Sequence, residues 1–160
     1  MRLYLAQHGE AHSEEVDPER RLTDRGVEDV ERMAKFLKPL GLRVDAIWHS
    51  GKARAAQTAD ILASALVSTQ GVVQRDGLAP KDPTGPLKEA LLAAGAADGA
   101  REDVMIVGHL PFLGLLASSL IANDALADAV AFRQGGVACI DCADDGTARL
   151  AWMVIPDLIP

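Results

Sequence analysis

A chain of 160 residues and 16.9 kDa, 49% hydrophobic, carries enough apolar side chain for one core and leaves no room for a second, so a single domain over 1–160 is expected. The formal net charge of -7 and a pI near 5.0 exclude broad electrostatic attraction to nucleic acid or to an anionic membrane. Any anion must be held by a local cluster. The opening run Met1-Arg2-Leu3-Tyr4-Leu5-Ala6-Gln7-His8 is too short and too interrupted for a signal peptide or membrane span, which predicts a cytoplasmic protein.

Residues 3–6 are apolar and precede the Gly9 turn, as expected of a buried strand running into a loop. The polar stretch 10–21, with Pro18 and charges from Glu14 to Arg21, reads as a surface loop. Thr23 then caps a helix whose apolar positions Val27, Val30, Met33, Ala34, Leu37 and Leu40 follow a helical period, ending near Gly41. A second strand is expected over 44–48, with His49-Ser50-Gly51 turning it into an Ala-rich helix over 53–66. Residues 72–74 form a third strand, 77–85 a Pro-punctuated loop, and 86–94 a third helix; the Ala-rich and Gly-containing region up to residue 100 reads as that helix and a following loop. Val104-Met105-Ile106-Val107 is the clearest strand, and Gly108-His109-Leu110-Pro111 turns it into an apolar helix over 112–121. Two final strands, 137–141 and 148–155, flank the hairpin signal Asp144-Asp145-Gly146.

Strands alternating with helices imply an α/β/α sandwich: a mostly parallel sheet between two helical layers, with an antiparallel strand near the end. Ligands of such sheets bind beyond the carboxyl ends of the strands, where helix N-termini and turn side chains are exposed. His8, Arg54 and His109 fall at those turns, after the first, second and fourth strands. Singly each is a weak signal; together, polar residues at three separated turns can share one pocket. His12 and His49 lack this placement and are read as rim or structural residues. Cys139 and Cys142, the two cysteines, lie three apart in a predicted strand, which aims them at opposite faces. They read as core or surface thiols, with no second pair or nearby His to complete a tetrahedral metal set.

Three blocks, Gln7-His8-Gly9-Glu10, Arg54-Ala55-Ala56-Gln57-Thr58 and Gly108-His109-Leu110-Pro111, with Arg20-Arg21-Leu22-Thr23-Asp24-Arg25-Gly26 leading into the first helix, resemble the histidine phosphatase superfamily. This phosphoglycerate mutase-like fold includes the short SixA-type phosphohistidine phosphatases, and the likeness runs over nearly the whole chain. The resemblance implies that His8 is a nucleophile, transiently phosphorylated, while Arg54 and His109 clamp the phosphoryl group, with Gln7 and Gly9 also at the phosphate. The chemistry suits these residue types. Neutral imidazole is nucleophilic near pH 7, a guanidinium offers paired donors to phosphate oxygens, and a protonated His109 would add charge.

Gln7 stands where the family usually has arginine, which removes one cation; Lys52 or Arg20 at the rim could restore it. Asp82 occupies the loop where larger members carry a general acid. The substrate expected is a phosphorylated histidine protein, either a relay domain or a phosphocarrier, because imidazole leaves without strong acid help. A phosphate or sulfate anion should fit the pocket. No metal and no cofactor are required, since the cations supply the charge. Two alternatives stay open: a small-molecule phosphomonoesterase, and a phosphate or phosphoprotein binding module weakened in catalysis by Gln7.

Overall fold

The computed structural model describes residues 1–93 and 102–160. In chain order the elements are β1 (Arg2–Gln7), α1 (Asp24–Leu37), β2 (Arg43–Val44), β3 (Ala46–His49), α2 (Ala53–Ala63), β4 (Val67–Ser68), β5 (Val72–Gln74), α3 (Gly85–Ala93), β6 (Val104–Gly108), α4 (Phe112–Ile121), β7 (Val137–Cys142) and β8 (Ala148–Val154). Residues 94–100 of the expected third helix and loop lie outside the described residues.

Side-chain alternation along the strands builds the layers. Leu3 and Leu5 of β1, with Val104 and Ile106 of β6, pack under Leu87 and Leu91 of α3 and Leu113 and Leu116 of α4. Their neighbours Tyr4, Ala6, Met105 and Val107 face Val30, Met33 and Leu37 of α1 and Ala55, Ala59 and Leu62 of α2. The period of two thus divides one apolar sequence between two cores, one on each side of the sheet. Cys139 falls in the core under α1 and α2, Cys142 in the other, as their spacing predicts. Burial pushes the Cys139 thiol up to about 11, so it is an inert core side chain.

The main sheet has the order β5-β3-β6-β1-β7-β8. β5, β3, β6 and β1 pair in parallel, β7 is antiparallel to β1, and β8 is antiparallel to β7. Only β7 is therefore reversed in this sheet, matching the expected class. β1 and β3 flank β6, so the turns that follow these three strands open side by side at one edge of the sheet.

Three boundaries differ from expectation, each for a local reason. The strand expected over 44–48 is interrupted at Asp45, whose backbone and carboxylate bind the backbone of Asp103 while its carbonyl accepts from Gln70 N. β2 instead pairs with β4 in a separate small sheet, and His49 ends β3 rather than opening a turn. α2 stops at Ala63, not at 66, because the Ser64 hydroxyl donates to Ile61 O at 2.7 Å, a local bond that competes with helix continuation. α1 stops at Leu37, and a 3-10 turn containing Pro39 leaves Leu40 53% exposed, off the helix face.

Candidate active site

The loop after β1 is anchored before it can be functional. Thr23 caps α1, its Oγ1 accepting from Gly26 N at 3.0 Å and donating to the Glu10 carboxylate at 2.7 Å. Gly26 admits no side chain: a Cβ there would collide with Glu10 O, and one on Gly9 would come within 2.8 Å of Gly26 O. The two glycines let α1 press against the loop that carries His8.

The block Arg54-Ala55-Ala56-Gln57-Thr58 ties α2 to the same loop. Gln57 Oε1 accepts from Leu22 N at 2.8 Å, and Thr58 Oγ1 accepts from Gly9 N at 3.1 Å while donating to Arg54 O at 2.8 Å. One face of the first turns of α2 thus holds the backbone around His8 with two side chains and leaves Arg54 for the pocket.

His8 sits immediately past β1, its amide donating to Gly108 O of β6 at 3.0 Å. Its Nδ1 lies 2.7 Å from Gly9 O. A carbonyl only accepts, so Nδ1 carries the proton and Nε2 keeps its lone pair. Arg54 Nε donates to that Nε2 at 3.3 Å. The His109 ring lies with its centroid 5.0 Å from that of His8. His8 and Arg54 are each 8% exposed and His109 1%, so the three expected residues meet in a small buried cluster. Burial, reinforced by the charges of Arg54 and Arg20 and opposed by the Gly9 bond, lowers the His8 pKa to about 4. His8 is therefore a neutral base at pH 7.

With no anion beside it, His109 is held neutral in the free protein, whereas a protonated ring was expected with the phosphoryl dianion bound. Burial first, then His8, Arg54, Lys52 and Arg20, lower its pKa to about 3. Its Nε2 lies 2.6 Å from Ser50 Oγ, whereas its Nδ1 is buried with no partner among the described residues, as is Gln7 Oε1. Both atoms thus retain unused hydrogen-bonding capacity in the free protein.

The remaining expected residues divide. Arg20, in a left-handed conformation with φ 52°, donates Nε to His12 O at 3.1 Å, and its charge acts on His8, Arg54 and His109. Lys52, just ahead of α2, acts on His109. The charges of both cations thus bear on the cluster. Gly9 commits its amide to Thr58 and its carbonyl to His8, so it orients the imidazole rather than meeting an anion directly. Asp82 accepts from Ala79 N at 2.8 Å within its own turn, a bond that explains its place structurally. His49 Nδ1 accepts from Gly51 N at 3.1 Å, and the His12 backbone carbonyl accepts from Arg20 Nε. Ser50, Gln57 and Thr58 were legible as part of a motif but not by role, because their partners lie 59, 35 and 49 positions away in the chain.

The family model of the histidine phosphatase superfamily (branch 1) matches residues 3–80, the span holding His8 and Arg54. An uncharacterized protein of Picosynechococcus sp. is 35% identical over 139 residues, 85% of this chain and 76% of the relative. The chain belongs to the histidine phosphatase superfamily. Among solved structures, the protein histidine phosphatase SixA complexed with tungstate superposes with a TM-score of 0.84 at 23% identity, over 98% of both chains. A protein assigned as phosphohistidine phosphatase SixA from Agrobacterium tumefaciens gives 0.73 at 28% identity, over 97% of both. The SixA-type phosphoglycerate mutase-like fold accounts for the sheet order and for the shared edge where β1, β3 and β6 end. Gln7, not a cation, precedes His8, and the positive charges bearing on the cluster are those of Arg54, Arg20 and Lys52.

Proposed function

We propose that this phosphatase removes phosphate from a phosphorylated histidine of a protein through a phospho-His8 intermediate. The observation that carries the reading is the pairing of His8 Nδ1 with Gly9 O, which leaves Nε2 as a neutral nucleophile beside the Arg54 guanidinium. In the first step the Nε2 lone pair forms the N–P bond as the substrate's own P–N bond breaks, and the departing imidazole keeps the proton on its other ring nitrogen and leaves neutral. Phospho-His8 retains its Nδ1 proton, held by Gly9 O. In the second step water attacks phosphorus, the Nε2–P bond breaks, both water protons leave on the phosphate as dihydrogen phosphate, and His8 is neutral again with its Nδ1 proton. Charge spread over the phosphoryl oxygens is met by Arg54 and His109, with Gln7, Arg20 and Lys52 around them. That a SixA of the same fold was solved complexed with tungstate, a phosphate-like oxyanion, supports an oxyanion ligand.

Neither step requires a carboxylic acid to protonate an alkoxide, and Asp82 is engaged in its own turn. That favours P–N over P–O substrates. Initial rates on a phosphohistidine protein and on a panel of sugar phosphates test this. Faster turnover of the phosphohistidine protein is expected; rapid sugar-phosphate hydrolysis with phosphohistidine left intact would overturn the substrate class.

A further inference from the structure

Ser50 has no part in the chemistry described so far, yet it makes the shortest side-chain contact in the cluster, 2.6 Å from its Oγ to His109 Nε2. The hydroxyl lies in the turn between β3 and α2, where it also takes a long 3.5 Å contact from Lys52 N. With Lys52 N on one lone pair, its single proton is available to His109. The His109 ring has one other polar atom, Nδ1, which is buried and has no partner among the described residues and belongs to a ring 5.0 Å from His8.

Two tautomers satisfy the Ser50 contact, and they have opposite consequences. If Nε2 donated to Ser50, Nδ1 would hold a lone pair, and a phosphoryl oxygen arriving there would meet repulsion. If Ser50 donates to Nε2, Nδ1 carries the proton, and an arriving oxygen gives it the partner it lacks. We infer that Ser50 is a positioning residue that fixes His109 as the neutral Nδ1–H tautomer, so that His109 offers the transferred phosphoryl group a hydrogen bond rather than a charge. The groups acting on His109, namely His8, Arg54, Lys52 and Arg20, all disfavour its protonation, as does burial. Charge compensation then rests on Arg54 and the rim cations. The inference shares with the proposed function the premise that an anion occupies this cluster.

The test reads the ring directly. Nitrogen-15 NMR of the imidazoles, with His109 assigned by its loss in His109→Gln, is recorded for the native chain, Ser50→Ala and Ser50→Thr, with and without inorganic phosphate. The expected native spectrum has a protonated Nδ1 and a bare Nε2, unchanged between pH 8 and 5. Ser50→Thr should keep that pattern, and Ser50→Ala should move proton density to Nε2 and lower kcat on a phosphohistidine protein roughly tenfold with KM little changed. A native Nε2–H signal, or a spectrum indifferent to Ser50→Ala, overturns the inference. The tautomer is visible without turnover, so a chain inactive on phosphohistidine would sink the proposed function while leaving this result readable. Should Ser50→Ala not fold, the native and Ser50→Thr spectra still decide.

Discussion

Arg54 Nε donates to His8 Nε2 across 3.3 Å, so in the free protein the arginine rests on the lone pair of that imidazole. In the proposed reaction the phosphoryl group takes the place of this contact, receiving the guanidinium on its own oxygens. A lysine can supply charge but not the forked, planar donor set. Arg54→Lys is expected to lower kcat/KM on a phosphohistidine protein by roughly a hundredfold while leaving the far-ultraviolet spectrum unchanged; a loss below threefold would contradict the clamp.

The two buried histidines make stability acid-sensitive. Unfolded, each titrates near the ordinary 6.5; folded, His8 is held near 4 and His109 near 3. Between those limits the unfolded chain binds protons that the folded chain refuses, so the contribution is fully present above pH 6.5 and is lost as pH falls through 4. Each histidine contributes a slope of up to about 1.4 kcal/mol per pH unit in that window. Urea melts from pH 7 to 4 should show a falling midpoint, with a shallower fall in His109→Gln. A flat midpoint, or an equal slope in the variant, would show that the rings are not held neutral.

Much of this was readable from residues alone. The continuous apolar runs Leu3-Tyr4-Leu5-Ala6 and Val104-Met105-Ile106-Val107 mark strands buried on both faces, and the turns after them mark where His8 and His109 lie. What could not be read are bonds closed across the fold. Asp45 breaks a strand by binding Asp103 and Ser50 reaches His109, each across more than fifty positions of the chain, and neither has a local signature. That burial holds the free His109 ring neutral was likewise not readable, since desolvation is a property of the packed state.

Thr58 is fully buried and gives Gly9 N its partner. Thr58→Val keeps the shape and removes the acceptor, leaving that amide unpaired, a change expected to cost about 1–3 kcal/mol. Thr58→Ser should recover most of the loss. Denaturant unfolding of both variants measures this, and equal stabilities for Val and Ser would remove Thr58 from the scaffold of the site.

Gln7 ends β1 with its Oε1 buried and unpartnered. Gln7→Arg adds a charged donor next to His8, worth about 1.5–3 kcal/mol in a desolvated site, or about ten- to a hundredfold in turnover. A slower or unchanged variant would mean that Arg20 and Lys52 already supply the needed charge.

The decisive measurement is a single-turnover reaction with a phosphohistidine protein carrying labelled phosphate, quenched in base, where N-phosphoryl bonds survive. Label should appear on the native chain and be absent from His8→Ala. Release of phosphate with no labelled chain at any time, or label undiminished in His8→Ala, would mean that His8 is not the nucleophile.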